Sequence, residues 1–276
     1  MSFLRSEERE LGMLWSVSKG TATSYLVGTV HFFPLSFRKA LTRLIRDLEA
    51  VFVEGPLDET SMARVVDRGR EEGRGALLDA LDPATIMRIN RALGYSACDA
   101  CTISPYMDLF QPRGSDPFSA QVRGLRPWMA FFQTWFQYLR SRGWKHSMDM
   151  DAYRIGQELG KRVSFLETIE EQLAALDGIP LERIVSFFKA VEQWDRLIKR
   201  HVNYYLKGDL EAWPATTVVF PTRCESIVDK RDPVLFQRMR GSLAQGDVVV
   251  LIGVPHVVTV KRLLAEDGFQ VRQVRR

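Results

Sequence analysis

Two stretches decide how this chain folds: Ser24-Tyr25-Leu26-Val27-Gly28-Thr29-Val30-His31 near its start and Asp247-Val248-Val249-Val250-Leu251-Ile252-Gly253-Val254-Pro255-His256 near its end. Each is a short apolar run rich in β-branched residues, closed by Gly-x-x-His, and each reads as a buried strand. After Pro34, the segment Phe37 to Leu48 sets Leu41, Leu44, Ile45 and Leu48 at helical spacing, and Ala50 to Val53 then forms a second apolar run ending in Glu54-Gly55-Pro56. Strand, helix and strand in that order predict a βαβ unit with parallel pairing, which brings the carboxyl ends of both strands to one edge. His31 and Glu54 are therefore expected on the same side. The C-terminal stretch repeats the plan, with a helix from about Val258 to Glu266, Gly268 as a stop, and a last strand from Phe269 to Val274. Two related units should face each other with their histidines converging.

Between them, residues 57–245 carry mostly helical periodicity, with breaks near Gly94, Pro105 to Pro117, Gly178-Ile179-Pro180 and Pro214 to Pro221. Within this middle, Asp149 to Leu159 reads as a helix stopped by Gly160-Lys161, and Arg162 to Leu166 reads as a strand delivering Glu167 to its end. Pro105 to Pro117 holds several structure breakers and is the expected flexible loop. The predicted architecture is α/β with α+β character: a single domain over residues 1–276, with a first Gly-x-x-His unit at 13–56, a large helical insertion at 57–245 containing the strand at 162–167, and a second unit at 246–276, around a central mixed sheet.

Composition narrows the function. A chain of 276 residues with 46% hydrophobic and 26% charged content can bury a substantial core. Its 38 basic residues are interspersed with 34 acidic ones, so the net charge of +4 builds no track for nucleic acid. No apolar run reaches the ~18 to 20 residues of a membrane span, and Met1 to Glu10 lacks the apolar centre of a secretion signal, so the expected location is the cytoplasm. Three cysteines make no disulfide framework. Cys98 and Cys101 form a Cys-x-x-Cys without a second pair or a histidine nearby, a pattern read as structural.

Only four histidines occur, at 31, 146, 201 and 256, and two of them close the paired motifs. The imidazole of such a motif projects from a sheet edge, where α/β proteins collect their sites. Two imidazoles with a carboxylate suit a transition metal of the Mn, Co, Zn or Fe type and leave coordination positions open for water or a carbonyl. The bland alternative, two histidines capping two strands, accounts for either one alone but not for the pair beside a carboxylate. His146 and His201 read as surface residues without a role. Glu54 ends a buried segment and so requires a cationic partner, with Arg223 and Lys161 as candidates. Asp149 has a simpler use as the cap of the helix it opens. Trp128, Phe132, Trp135, Phe136 and Leu139 make an aromatic stripe, widened by Phe131 and Tyr138, that serves a core, a cleft wall, a homodimer face or an interfacial membrane contact. Phosphate-loop, Gly-x-Ser-x-Gly and Gly-x-Gly-x-x-Gly motifs are absent in any credible context, against kinase, serine-hydrolase and NAD-linked functions.

Taken in order, Tyr25 to His31, Val53-Glu54-Gly55, Pro127-Trp128, Asp149 leading to Gly160-Lys161-Arg162-Val163, Leu166-Glu167-Thr168, Arg223 and Gly253 to His256 resemble the TraB/GumN family, which includes the Tiki metalloproteases. The resemblance runs from about Leu14 to Val274. It implies a divalent-metal-dependent protease or related hydrolase acting on a peptide or protein, with His31, Glu54 and His256 at its centre. Arg223 matches the arginine of the family's Arg-Asn pair, whereas Cys224 replaces the asparagine, and Gly156 stands where the family often has alanine. On this reading His31 and His256 hold a metal of the Mn, Co or Zn class, Glu54 is a ligand or the base for its water, and Arg223 neutralises the developing oxyanion. Asp149 and Glu167 then orient the ligands. Two other readings share the scaffold: a metal-independent esterase-like hydrolase with His31 as general base, as in the distantly similar erythromycin esterases, and a non-enzymatic protein holding haem or a peptide in the cleft.

Overall fold

The computed structural model describes residues 9–73, 75–95, 116–214 and 218–274. The Cys98 and Cys101 pair and most of the Pro105 to Pro117 stretch lie outside them.

The first strand, β1 (Leu14–Lys19), turns at Gly20 into β2 (Ala22–Thr29). Helix α1 (Arg38–Arg46) follows and buries Leu41, Leu44 and Ile45, and leads to β3 (Ala50–Val53). The middle of the chain contributes α2 (Glu59–Arg68), α3 (Ala76–Ala80), α4 (Pro83–Ala92), α5 (Pro117–Val122), α6 (Pro127–Ser141) and α7 (Met148–Glu158). Strand β4 (Arg162–Phe165) is followed by α8 (Ile169–Asp177), α9 (Leu181–Lys189) and α10 (Trp194–Lys207). The last elements are α11 (Asp232–Gln245), β5 (Val248–Gly253), α12 (Val254–Glu266) and β6 (Gln270–Gln273).

These strands form one six-stranded sheet in the order β4-β3-β5-β2-β1-β6. β4, β3, β5 and β2 run parallel, and β1 pairs antiparallel with both β2 and β6. The sheet is thus mixed, as expected, but its order corrects the sequence reading. β2 and β3 are parallel without being neighbours, because β5, from the other end of the chain, lies between them. Every residue of β5 is buried, which its unbroken run of valine, leucine and isoleucine reflects: a central parallel strand is covered on both faces. The hairpin strand β1 was not foreseen.

The two crossovers leave the sheet on opposite faces. Gly156 of α7 approaches β3 and β4 so closely that a Cβ there would lie 2.8 Å from Val163 and 3.5 Å from Val51. Val51 is in register with Val249, and Val249 with Tyr25. Gly28, an odd three residues on from Tyr25, points to the other face, where a Cβ would meet Val254 and Val257 of α12 at 3.1 and 3.2 Å. α7, with α1 packed on it, therefore covers one face, and α12 with α11 the other. The chain leaves β2 for the first face and leaves its neighbour β5 for the second. Between their carboxyl ends lies a topological switch point, the crevice in which open α/β sheets bind ligands.

Across that edge the helical middle builds an aromatic core, in which Trp135 meets Trp194 edge-on at 5.4 Å and Phe220 at 5.5 Å, and Phe187 stacks on Trp194 at 5.1 Å.

Candidate functional site

His31 and His256 both reach the switch point, but not as equivalents. His31 lies two residues beyond β2 with 62% of its side chain accessible. His256 sits in the first turn of α12, which begins at Val254 rather than near Val258, and is 4% accessible. Only the first histidine follows a strand end as the motif predicts.

Each imidazole is fixed through Nδ1 by a buried carboxylate. Asp149 accepts from His31 Nδ1 at 2.8 Å and from the Thr29 hydroxyl at 2.6 Å. Asp149 does not cap α7, a task that Ser147 performs by accepting from the Met150 N–H. Asp232, fully buried, lies 2.6 Å from His256 Nδ1, and its second oxygen has no hydrogen-bond partner among the described residues. With Nδ1 committed, Nε2 of both rings is left for other work.

Glu54, the residue after β3, has its Oε2 held by the Gly253 N–H at 2.8 Å and its Oε1 3.5 Å from His256 Nε2. Its cationic partner is Arg231, whose Nη2 lies 2.5 Å from Glu54 Oε1 and 2.5 Å from Glu167 Oε2 while Nε donates to Glu167 Oε1 at 2.8 Å. This corrects the sequence reading, in which Arg223 or Lys161 took that place. Arg223 donates to the Pro255 carbonyl at 3.2 Å, and Lys161 to the Arg46 carbonyl at 2.7 Å. Cys224 touches Ser226, its Sγ 3.3 Å from the serine hydroxyl. The signal for Arg231 was nevertheless present. Arg231-Asp232 is an arginine followed by a short polar side chain, closer in chemistry to an Arg-Asn pair than Arg223-Cys224 is, and both its members reach the site.

Four carboxylates, from Glu54, Asp149, Glu167 and Asp232, all at least nine-tenths buried, thus gather at this edge, and Arg231 pairs with two of them, Glu54 and Glu167. Burial drives the Glu54 carboxyl upward, but Arg231 and then His256 outweigh it and hold its pKa well below the usual carboxylate range. For His256, burial lowers the pKa while Glu54 and Asp232 raise it further, to about 9. Asp149 is the largest influence on His31 and raises its pKa, a pull screened at the open face of the ring. Arg231 is desolvated, yet Glu54 and Glu167 keep it firmly protonated. The excess negative charge is what draws protons onto the imidazoles, and a divalent cation would answer the same need. The Nε2 atoms of His31 and His256, the latter 3.5 Å from both Glu54 Oε1 and Arg231 Nη1, and an ionised carboxylate form a donor set that fits such a cation once it displaces the imidazole protons. Among the described residues no three such side chains already stand close enough together to hold one, Arg231 occupying the space between Glu54 and Glu167.

The cluster forms one end of a cavity of about 580 Å³. α6 supplies a wall of it, including Trp128, Phe132 and Phe136, so the aromatic stripe serves core and cleft together. His201, expected at the surface, lines the same cavity, stacked on Trp213 at 4.7 Å and on Phe220 at 5.0 Å, with a buried Nε2 that has no hydrogen-bond partner among the described residues. Burial lowers its pKa to about 4. His146 pairs through its backbone with Phe33. No helix among the described residues is long and apolar enough to cross a membrane.

The sequence model of the TraB/PrgY/gumN family matches residues 13–273, nearly the whole chain. No curated protein matches it.

Proposed function

The chain belongs to the TraB/PrgY/gumN family, and from that premise we propose that it is a metal-dependent hydrolase of amide bonds, the peptide bond first among them. The observation that carries this reading is the pair of imidazoles, each anchored through Nδ1 on a buried carboxylate beside Glu54 at the sheet's switch point. Outer carboxylates of this kind fix the tautomer and raise the basicity of metal-binding histidines. His31, His256 and Glu54 would hold the cation. When bound, it supplies Lewis acidity to polarise a carbonyl and to acidify water.

The chain's own groups do the rest. Asp149 and Asp232 hold the rings in orientation, and the Gly253 N–H keeps the Glu54 carboxylate turned inward. Arg231, protonated and 3.5 Å from His256 Nε2, carries the positive charge nearest to where a carbonyl oxygen would become negative, the role first assigned to Arg223. The aromatic wall lowers the polarity on its side of the site and so strengthens the interactions made there.

The test is metal content by mass spectrometry, with titration of Mn²⁺, Co²⁺ and Zn²⁺ into the parent, His31→Ala and His256→Ala proteins, alongside a peptidase assay with and without chelator. The parent should bind near one equivalent and lose peptidase activity to the chelator, and each variant should bind far more weakly. Variants that bind as tightly as the parent, or turnover that survives chelation, would overturn the proposal.

A further inference from the structure

The cavity beside the cluster is far larger than one side chain requires. At about 580 Å³ it is of a size that takes a whole drug-sized molecule. Its lining surface is overwhelmingly apolar, and the ionised groups gather at the histidine end. On the α6 side, Phe132 and Phe136 are only half-buried although they pack against the core, and Phe32 stacks on Phe136 at 4.5 Å. On the α2 side, Met62 and Val66 line the cavity with 37% and 50% of their surface accessible, and Ser61 is the only buried residue of that helix. The apolar faces of two helices are thus turned toward a space that the described residues do not fill.

Hydrogen-bonding chemistry decides between occupants. A peptide strand carries a donor and an acceptor at nearly every residue, and an apolar wall leaves them unpaired. A hydrocarbon chain has nothing to pair and gains from every methylene removed from water. The polar side chains along the lining, Gln133, Gln172, Thr222 and the single open nitrogen of His201, are too few to pair the backbone of a strand.

We propose that the cavity is an acyl-chain subsite and that the substrate is a long-chain acyl amide or ester, its carbonyl at the His31, Glu54 and His256 end and its chain between α2 and α6. The inference rests on the metal-dependent hydrolase reading, and it moves the scissile bond from an internal peptide bond to an acyl amide and extends the reading to acyl esters. Water is the co-reactant. Its oxygen forms the new C–O bond of the released carboxylate, and the C–N or C–O bond to the leaving group breaks with its electron pair going to nitrogen or oxygen, which takes up a proton.

Two measurements on the full chain separate this inference from the reading it builds on. In the first, 11-(dansylamino)undecanoic acid is bound to the protein and displaced by unlabelled fatty acids of four to sixteen carbons. In the second, p-nitrophenyl esters and p-nitroanilides of the same lengths are turned over in the presence of Mn²⁺. Displacement should tighten about fourfold per added methylene until the cavity is full, and Val65→Trp, which narrows the space beside α6, should shorten the longest chain accepted. Chain-length-dependent binding without turnover of any ester or amide would uphold the subsite and overturn the hydrolase. Turnover that is indifferent to chain length, a flat displacement series, or an unchanged length limit in Val65→Trp would overturn the subsite.

Discussion

His256 Nδ1 lies 2.6 Å from Asp232 Oδ1, and the residue immediately before Asp232 is the arginine that pairs with Glu54. The start of α11 therefore delivers both an orienting carboxylate and a counter-charge to one edge of the sheet. If the carboxylate acts by fixing the ring, an acceptor of the same shape should serve. Asp232→Asn is expected to retain divalent-metal affinity within a few fold by calorimetric titration, and Asp232→Ala to lose about 10- to 100-fold. Equal affinities in the two variants would show that the Asp232 contact is dispensable.

Arg231 makes the closest charge pairs to two buried carboxylates, Glu54 and Glu167. Arg231→Leu should destabilise the fold by about 3 to 5 kcal/mol in urea unfolding, because an unpaired buried charge costs more than the pair contributes. Added Mn²⁺ should restore part of the loss if a cation can serve Glu54 and Glu167 in place of the guanidinium. A loss below about 1 kcal/mol would mean that these carboxylates find other partners.

The pH dependence of stability carries the mark of His201. Its folded pKa of about 4 lies below its ordinary value of 6.5, so the unfolded chain takes up the proton first as pH falls. Stability from this residue is complete above about pH 6.5 and declines between there and pH 4, by on the order of 1 kcal/mol at pH 5.5. His201→Phe should show a correspondingly smaller drop between pH 7.5 and pH 5.5 in chemical denaturation. An identical drop in both proteins would assign it elsewhere.

Helix α2 is joined to α8 through surface ion pairs, Arg64 with Glu170 and Arg68 with Asp177, and it borders the cavity. Such pairs contribute little to global stability but can hold a helix in place. In the Arg64→Ala, Arg68→Ala double variant, amide hydrogens over residues 59–68 should exchange several times faster while Tm moves by no more than about 2 °C. Unchanged exchange there would show that α2 is held by its apolar contacts alone.

Much of the frame was legible because it is local. The valine, leucine and isoleucine runs marked β2, β3 and β5, Gly160 and Gly268 ended the elements before β4 and β6, and the alternation of strand and helix gave a sheet with one carboxyl edge. Three of the predicted carboxylates, Glu54, Asp149 and Glu167, stand at that edge with both motif histidines. What was misread depends on distant residues. Arg231 meets Glu54 across 177 positions of sequence, and a long guanidinium side chain shows nothing of its partner in its neighbours. Asp232 beside Pro233 looks like an ordinary helix opening, and His201 on a basic helix looks like a surface residue until Trp213 and Phe220 close against it.

The sequence by itself determined the strands β2 to β6, the parallel sense of β2 and β3 and the two histidines, because side-chain periodicity and glycine placement act within a few residues. Only the tertiary structure decided that β5 would enter between β3 and β2, and with it the switch point. It also decided which cation would answer the buried carboxylates and that an apolar cavity would open beside them. Those outcomes follow from burial and charge balance among segments that meet only once the chain has folded.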